Sequence, residues 1–111
     1  MNTIIEINNH EEFYFIITNI EKVIAYFYVN WRPDCNKFDK SFIKESRKIE
    51  NIGITFCHIN TDLLPDIQVL YDVTIKSTPA VIYIHNKKIV KRFEGNKPEL
   101  LDDYTADFIN M

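Results

Sequence analysis

The sequence predicts an α/β domain: a central mixed β-sheet with helices packed on both faces. Three observations carry this reading. Strand-like and helix-like segments alternate three times, which requires a layered sheet covered on both sides. Two internal runs, 23–29 and 54–59, are apolar almost throughout, as strands buried on both faces are. The end of the chain breaks the alternation, with two short strands around a polar turn and then a helix. The predicted order is β-α-β-α-β-α-β-β-α: three βα units, a β-hairpin and a terminal helix. With no internal repeat and no linker, residues 1–111 form one domain of ordinary size.

Thr3 to Ile7 alternates weakly and suits an edge strand. Asn8 or Asn9 can cap a helix whose first turn holds Glu11 and Glu12, where the helix dipole favours acids. Phe13, Ile16, Ile17 and Ile20 then share one face. Val23 to Val29 is a central strand that feeds a polar turn, Trp31-Arg32-Pro33-Asp34-Cys35, and a helix running to Ile49. In that helix Phe38, Phe42, Ile43 and Ile49 are the apolar positions, and Asp34 is the expected cap. Asn51 and Gly53 are its expected stop signals. Ile54 to Ile59 is the next strand. Pro65 suits the first turn of a short helix from Leu64 to Tyr71. Val73 to Thr78 is a loop ending at Pro79. Ala80 to Ile84 and Ile89 to Phe93 pair around Asn86-Lys87. Lys97 to Ile109 is the last helix, with Leu100, Leu101, Tyr104, Phe108 and Ile109 turned inward.

Composition removes several function classes. A net charge of −3 gives no basic field for nucleic acid and no polybasic membrane patch. No apolar run approaches the ~20 residues of a membrane span, and residues 1–12 do not read as a signal peptide. Two cysteines do not make a disulfide scaffold. A reducing, cytoplasmic compartment is therefore expected, unless a targeting segment has been removed. No cofactor is expected either: no His/Cys set has metal-ligand spacing, and no glycine-rich phosphate loop exists. His10 and His85 read as solvated, and His58 as a packed strand residue.

The strand–turn–helix unit at 23–49 holds the chemistry. Backbone N–H groups and the positive end of a helix dipole converge where the turn enters the helix, and a thiolate is stabilised there.

At this point the element order and three motifs resemble the thioredoxin family across almost the whole chain. Trp31-Arg32-Pro33-Asp34-Cys35 is similar to the family's W-C-x-x-C. His58-Ile59-Asn60-Thr61-Asp62 is similar to its strand end with an aspartate, and Thr78-Pro79 to its cis-proline. The resemblance implies a thioredoxin fold, with the 72–77 loop slightly longer than in a minimal thioredoxin. It also implies a peptide-docking loop before Pro79.

The departures fall on the chemistry. Arg32 stands where the family keeps its nucleophilic cysteine, Tyr26 where it often buries a carboxylate, and His58 where it often has a lysine. Cys35, the resolving position, and Pro79 remain. A W-C-P-D-C turn would differ from this one by a single residue. Spliceosomal thioredoxin-like proteins also carry a W-x-P-x-C turn, and that likeness extends to Lys37 and Asp39, although Thr78-Pro79 fits the thioredoxins better.

Disulfide exchange needs an attacking thiolate and a second thiol to resolve the product. Arg32 cannot attack. Strand alternation puts Cys57 on the sheet face opposite His58, so it is expected as a small buried residue rather than a partner for Cys35. For Cys35 the first helical turn and Arg32 favour the thiolate, while burial and Asp34 favour the thiol. It reads as either a functional monothiol or a structural remnant. Arg32 opposes the helix dipole, so it is either a grip for a partner's carboxylate or phosphate or a tolerated surface charge. Trp31 is either a recognition aromatic or a cover for the turn.

The favoured expectation is a redox-inactive adaptor that docks a protein or peptide client on Trp31, Arg32, Pro33, Thr78 and Pro79. It is expected not to touch nucleic acid or membrane directly. The alternatives are a monothiol oxidoreductase acting through Cys35 in cell redox homeostasis, and a splicing-complex subunit.

Overall fold

The computed structural model describes residues 3–111. Five strands, β1 (Ile5–Glu6), β2 (Lys22–Tyr28), β3 (Thr55–Asn60), β4 (Ala80–His85) and β5 (Lys88–Glu94), form one sheet in the order β1-β3-β2-β4-β5. β3 runs parallel to both β1 and β2, whereas β4 is antiparallel to β2 and to β5. The helices are α1 (His10–Asn19), α2 (Pro33–Ser46), α3 (Pro65–Leu70) and α4 (Pro98–Ile109). Single 3-10 turns lie at Ile49–Asn51 and Ile75–Ser77.

Alternation along the central strands divides the core in two. Val23, Ala25, Phe27, Cys57, Ile59 and Ile82 face α1 and α3 through Phe13, Ile16, Ile17 and Ile67. Ile24, Tyr26, Phe56, Val81 and Tyr83 face α2 and α4 through Phe38, Phe42, Leu101 and Phe108. β2 is therefore buried on both sides, as its apolar run requires. Cys57 and Cys35 belong to opposite faces.

The N-terminal signal of α1 works as read: Asn9 accepts a hydrogen bond from the Glu12 backbone N–H at 2.8 Å. Asn86 and Lys87 both take positive φ (50° and 74°), the backbone a two-residue hairpin turn uses. The β4–β5 register slips between Tyr83 and Ile84, so Val90 is an extra residue in β5.

Several details differ from the sequence reading. The edge strand is only Ile5–Glu6, although the Ile7 N–H still donates to the His58 carbonyl at 3.0 Å. α2 ends at Ser46 rather than reaching residue 49. Lys48 then turns to extended backbone (ψ 136°), which swings Ile49 out to 80% exposure. Ile43 is also exposed, and Cys35, Glu45 and Ser46 complete the buried stripe instead.

Asn51 does not stop α2 in sequence but does so in space. It is buried, and its Nδ2 donates to the Glu45 carbonyl (2.8 Å) and to Glu45 Oε2 (2.9 Å). A carbonyl of the last helical turn, which also accepts the Lys48 N–H at 3.2 Å, thus gains a second partner from outside the helix. His85 is not simply solvated, because its Nε2 meets Glu21 Oε2 at 3.1 Å. The expected loop before Pro79 contains the 3-10 turn Ile75–Ser77, capped reciprocally by Thr74 and Ser77.

Candidate functional site

The carboxyl ends of β2 and β3 open at the same end of the sheet, and the turn 31–35 lies there. The Thr61 N–H donates to the Tyr28 carbonyl at 2.8 Å, tying the two strand ends together. Asn60 Oδ1 accepts the Asp62 N–H at 3.1 Å and fixes the following turn. Asp62 Oδ2 in turn accepts the Trp31 indole N–H at 2.7 Å. Trp31 is 60% exposed and yet tethered. Its ring is held at the surface rather than folded into the core.

Arg32 has extended backbone (φ −87°, ψ 125°) as the residue before α2, and Pro33 takes the first helical position, where its missing N–H costs nothing. Asp34 sits in the first turn, but no side chain caps the helix, so the expected cap is not made. The Arg32 side chain is half-buried and has no acidic partner among the described residues. Its Nε is closed off from solvent with no hydrogen-bond partner.

Cys35 is only 1% exposed and carries a free thiol. Beneath it, Tyr26 Oη lies 2.5 Å from Asp39 Oδ1 and 3.0 Å from the Cys35 carbonyl oxygen. A phenol has one proton to donate, so the carboxylate at the shorter distance takes the main share. Burial, then the Asp39 hydrogen bond and charge, push the Tyr26 phenol far above its ordinary range. Tyr26 is therefore a fixed donor at neutral pH, at the position where the family that the sequence resembles often buries a carboxylate.

Next to it, His58 stacks on Tyr28 at 3.7 Å, and its Nδ1 lies 2.9 Å from Glu6 Oε1. Tyr28 also donates to Glu6, and burial followed by the Glu6 charge pushes its phenol up to about 12. His58 is packed and paired.

The structure places Thr78 and Pro79 differently from the docking expectation. The Thr78–Pro79 peptide bond is cis. Both residues are buried, however, and the Thr78 N–H and hydroxyl are already given to the Ile75 carbonyl (3.2 and 2.6 Å). The Pro79 carbonyl accepts the Gly95 N–H at 2.7 Å. Of the residues expected to dock a client, Trp31 and Pro33 are exposed and Arg32 is half-buried. Cys57 lies on the other face of the sheet, its thiol pushed up to about 12 by burial and then by the charge of Glu12. Among the described residues no group of three or more His, Cys, Asp or Glu is arranged to hold a metal ion, and no helix is long and apolar enough to cross a membrane.

Sequence reasoning missed the Asp62–Trp31 tether and the Tyr26–Asp39 bond. The available signals were a strand-end aspartate and a tyrosine facing α2 one strand-width away.

Comparison with known proteins adds three findings. A family model described as thioredoxin matches residues 4–107. Monothiol glutaredoxin-4 of Saccharomyces cerevisiae is 24% identical over 118 aligned positions, covering 97% of this chain and 48% of that protein, so the chain spans about half the length of this curated relative. Among solved structures, the thioredoxin of Malassezia sympodialis superposes with a TM-score of 0.91 at 16% identity, covering 98% of this chain and 93% of that one. The thioredoxin of Trypanosoma brucei brucei gives 0.88 at 19%, with 98% and 93% covered. Oxidized mitochondrial thioredoxin 3 of S. cerevisiae gives 0.85 at 22%, with 94% of each chain covered. At these identities the structural likeness speaks for the fold.

Proposed function

The chain belongs to the thioredoxin family, and from that premise we propose that it is a binding module that has given up dithiol catalysis and docks a protein segment around Trp31. One observation carries the reading: the tethered, exposed indole stands beside a guanidinium and above a sealed thiol. A reductase needs an exposed attacking sulfur. Here Arg32 occupies that position, and Cys35 lies under the surface. A rigid, exposed tryptophan is instead what a recognition surface uses, since it presents a large contact area with little flexibility to lose. Thr78 and Pro79 enter this reading as support for the docking face rather than as contacts. Two free cysteines suit a reducing, cytoplasmic setting.

The test is affinity capture with the purified domain, with and without dithiothreitol. The proposal expects bound clients to be the same for the parent and Cys35→Ser, unaffected by reductant, and lost with Trp31→Ala. Clients that disappear with Cys35→Ser or on reduction would overturn it, as would insulin reduction at the rate of a dithiol enzyme.

A second reading is favoured by the monothiol relative. The Cys35 thiolate would attack a client's mixed disulfide with glutathione, releasing the client thiolate and taking up the glutathionyl group, which a glutathione thiolate then removes as glutathione disulfide, regenerating Cys35. The 1% exposure of Cys35 stands against it. Alkylation of native Cys35 at the rate of free glutathione would favour this reading, and protection until unfolding would end it.

A further inference from the structure

Two polar atoms of half-covered residues at the tryptophan end of the sheet are enclosed without a hydrogen-bond partner: Arg32 Nε, a donor, and Asn96 Oδ1, an acceptor. Groups of this kind are rare in folded proteins and call for an explanation. They come from two loops that the sheet register brings side by side. Phe27 pairs with Ala80, and Ala80 with Glu94. One residue further on, the Gly95 N–H binds the Pro79 carbonyl at 2.7 Å. The exit of β2 and the Gly95–Asn96 turn are thus two strand spacings apart, roughly 10 Å. Three residues of extended chain cover about the same distance. Thr61 Oγ1 is also unpartnered at this end, but Thr61 is 1% exposed and sealed in. Arg32 and Asn96, by contrast, are only half-covered as residues.

We infer that this surface binds an extended peptide whose Asp or Glu side chain pairs with Arg32 and whose backbone N–H donates to Asn96. The inference rests on the docking reading above and adds the chemistry of the client. In this reading a carboxylate of the client occupies the place opposite Arg32, where a dithiol relative would meet a client's sulfur. A guanidinium binds a carboxylate through two parallel N–H···O bonds and therefore selects it by shape as well as charge. A single negative charge fits better than a phosphate dianion. One arginine is available, Asp34 and Asp62 flank it, and the chain as a whole carries −3. Trp31 beside Arg32 offers an apolar platform to the neighbouring client residue.

The experiment is selection of a displayed library of random heptapeptides on the purified domain. Enriched sequences are then synthesised with Glu, Gln or phosphoserine at the selected acidic position. The expected result is enrichment of one Asp or Glu at a fixed place next to an apolar residue. Replacing that Glu by Gln weakens binding by about tenfold or more, the usual weight of a hydrogen-bonded charge. Arg32→Gln removes the Glu-over-Gln preference and leaves the Gln peptide's affinity unchanged. Asn96→Ala weakens the Glu and Gln peptides by the same factor.

An acidic preference that survives Arg32→Gln would overturn the inference and leave the docking reading in place. So would enriched peptides with no acidic position, or tighter binding of phosphoserine than of Glu. Failure to enrich any peptide would overturn both.

Discussion

Removing one buried hydroxyl tests how the turn is held. Tyr26→Phe keeps the ring in its place against Phe38 and Phe42 and deletes the donor shared by Asp39 and the Cys35 carbonyl. A hydrogen bond to a charged group contributes about 1.5–3 kcal/mol. The Asp39 side chain is 35% exposed, so water can replace part of the lost bond, and the lower part of that range applies. The expected cost is about 1–2 kcal/mol, or a Tm lower by about 4–10 °C for a domain of this size. Urea and thermal unfolding measure it directly, and a double-mutant cycle with Asp39→Ala isolates the pair. The two residues touch, so their effects should fall short of additivity by about 1 kcal/mol. A loss below about 0.5 kcal/mol for Tyr26→Phe, or strict additivity with Asp39→Ala, would refute the claim that this bond anchors the start of α2.

Three further outcomes follow from the same structure. Stability should fall above about pH 9: the Cys57 thiol, ordinarily at 9.0, is held protonated to about 12, so the unfolded chain releases its proton first. Cys57→Ala should keep about 1.4 kcal/mol more of its pH 8 stability at pH 10 than the parent does, measured by urea unfolding under reductant. Asn51→Ala should cost about 1–2 kcal/mol in thermal unfolding, because the buried Glu45 carboxylate and its carbonyl each lose one hydrogen bond while Lys48 stays paired with both. Asn51→Asp should cost more, since two carboxylates then meet. Arg32→Cys restores a W-C-P-D-C turn and should reduce insulin where the parent does not. It should do so more slowly than a relative with a titrating carboxylate, because Tyr26 keeps its proton. Equal inactivity of Arg32→Cys and parent would show that more than the missing sulfur has been lost.

Much of the fold was legible because its signals are local. Apolar runs mark β2, β3 and β4; Asn9 marks the start of α1; Pro65 and Pro98 sit at the first turns of α3 and α4. What escaped was tertiary. Ile49 lies on the same helical stripe as Phe38 and Phe42, and only the early end of α2 turns it outward. Asn51 reads as a backbone stop, whereas its work is done by a side chain reaching back six residues. At the site, W-x-P-x-C identified the turn, but no spacing rule ties Trp31 to Asp62, 31 positions away. Nor could the sequence tell that Thr78 spends its N–H and hydroxyl on its own loop.

The slipped residue in β5 also limits how this molecule can meet others. An incoming strand would have to match a rim that bends at Val90 and carries Lys88, Lys91 and Arg92. At the opposite rim β1 offers only two residues for pairing. Lateral growth of the sheet is therefore discouraged on both flanks.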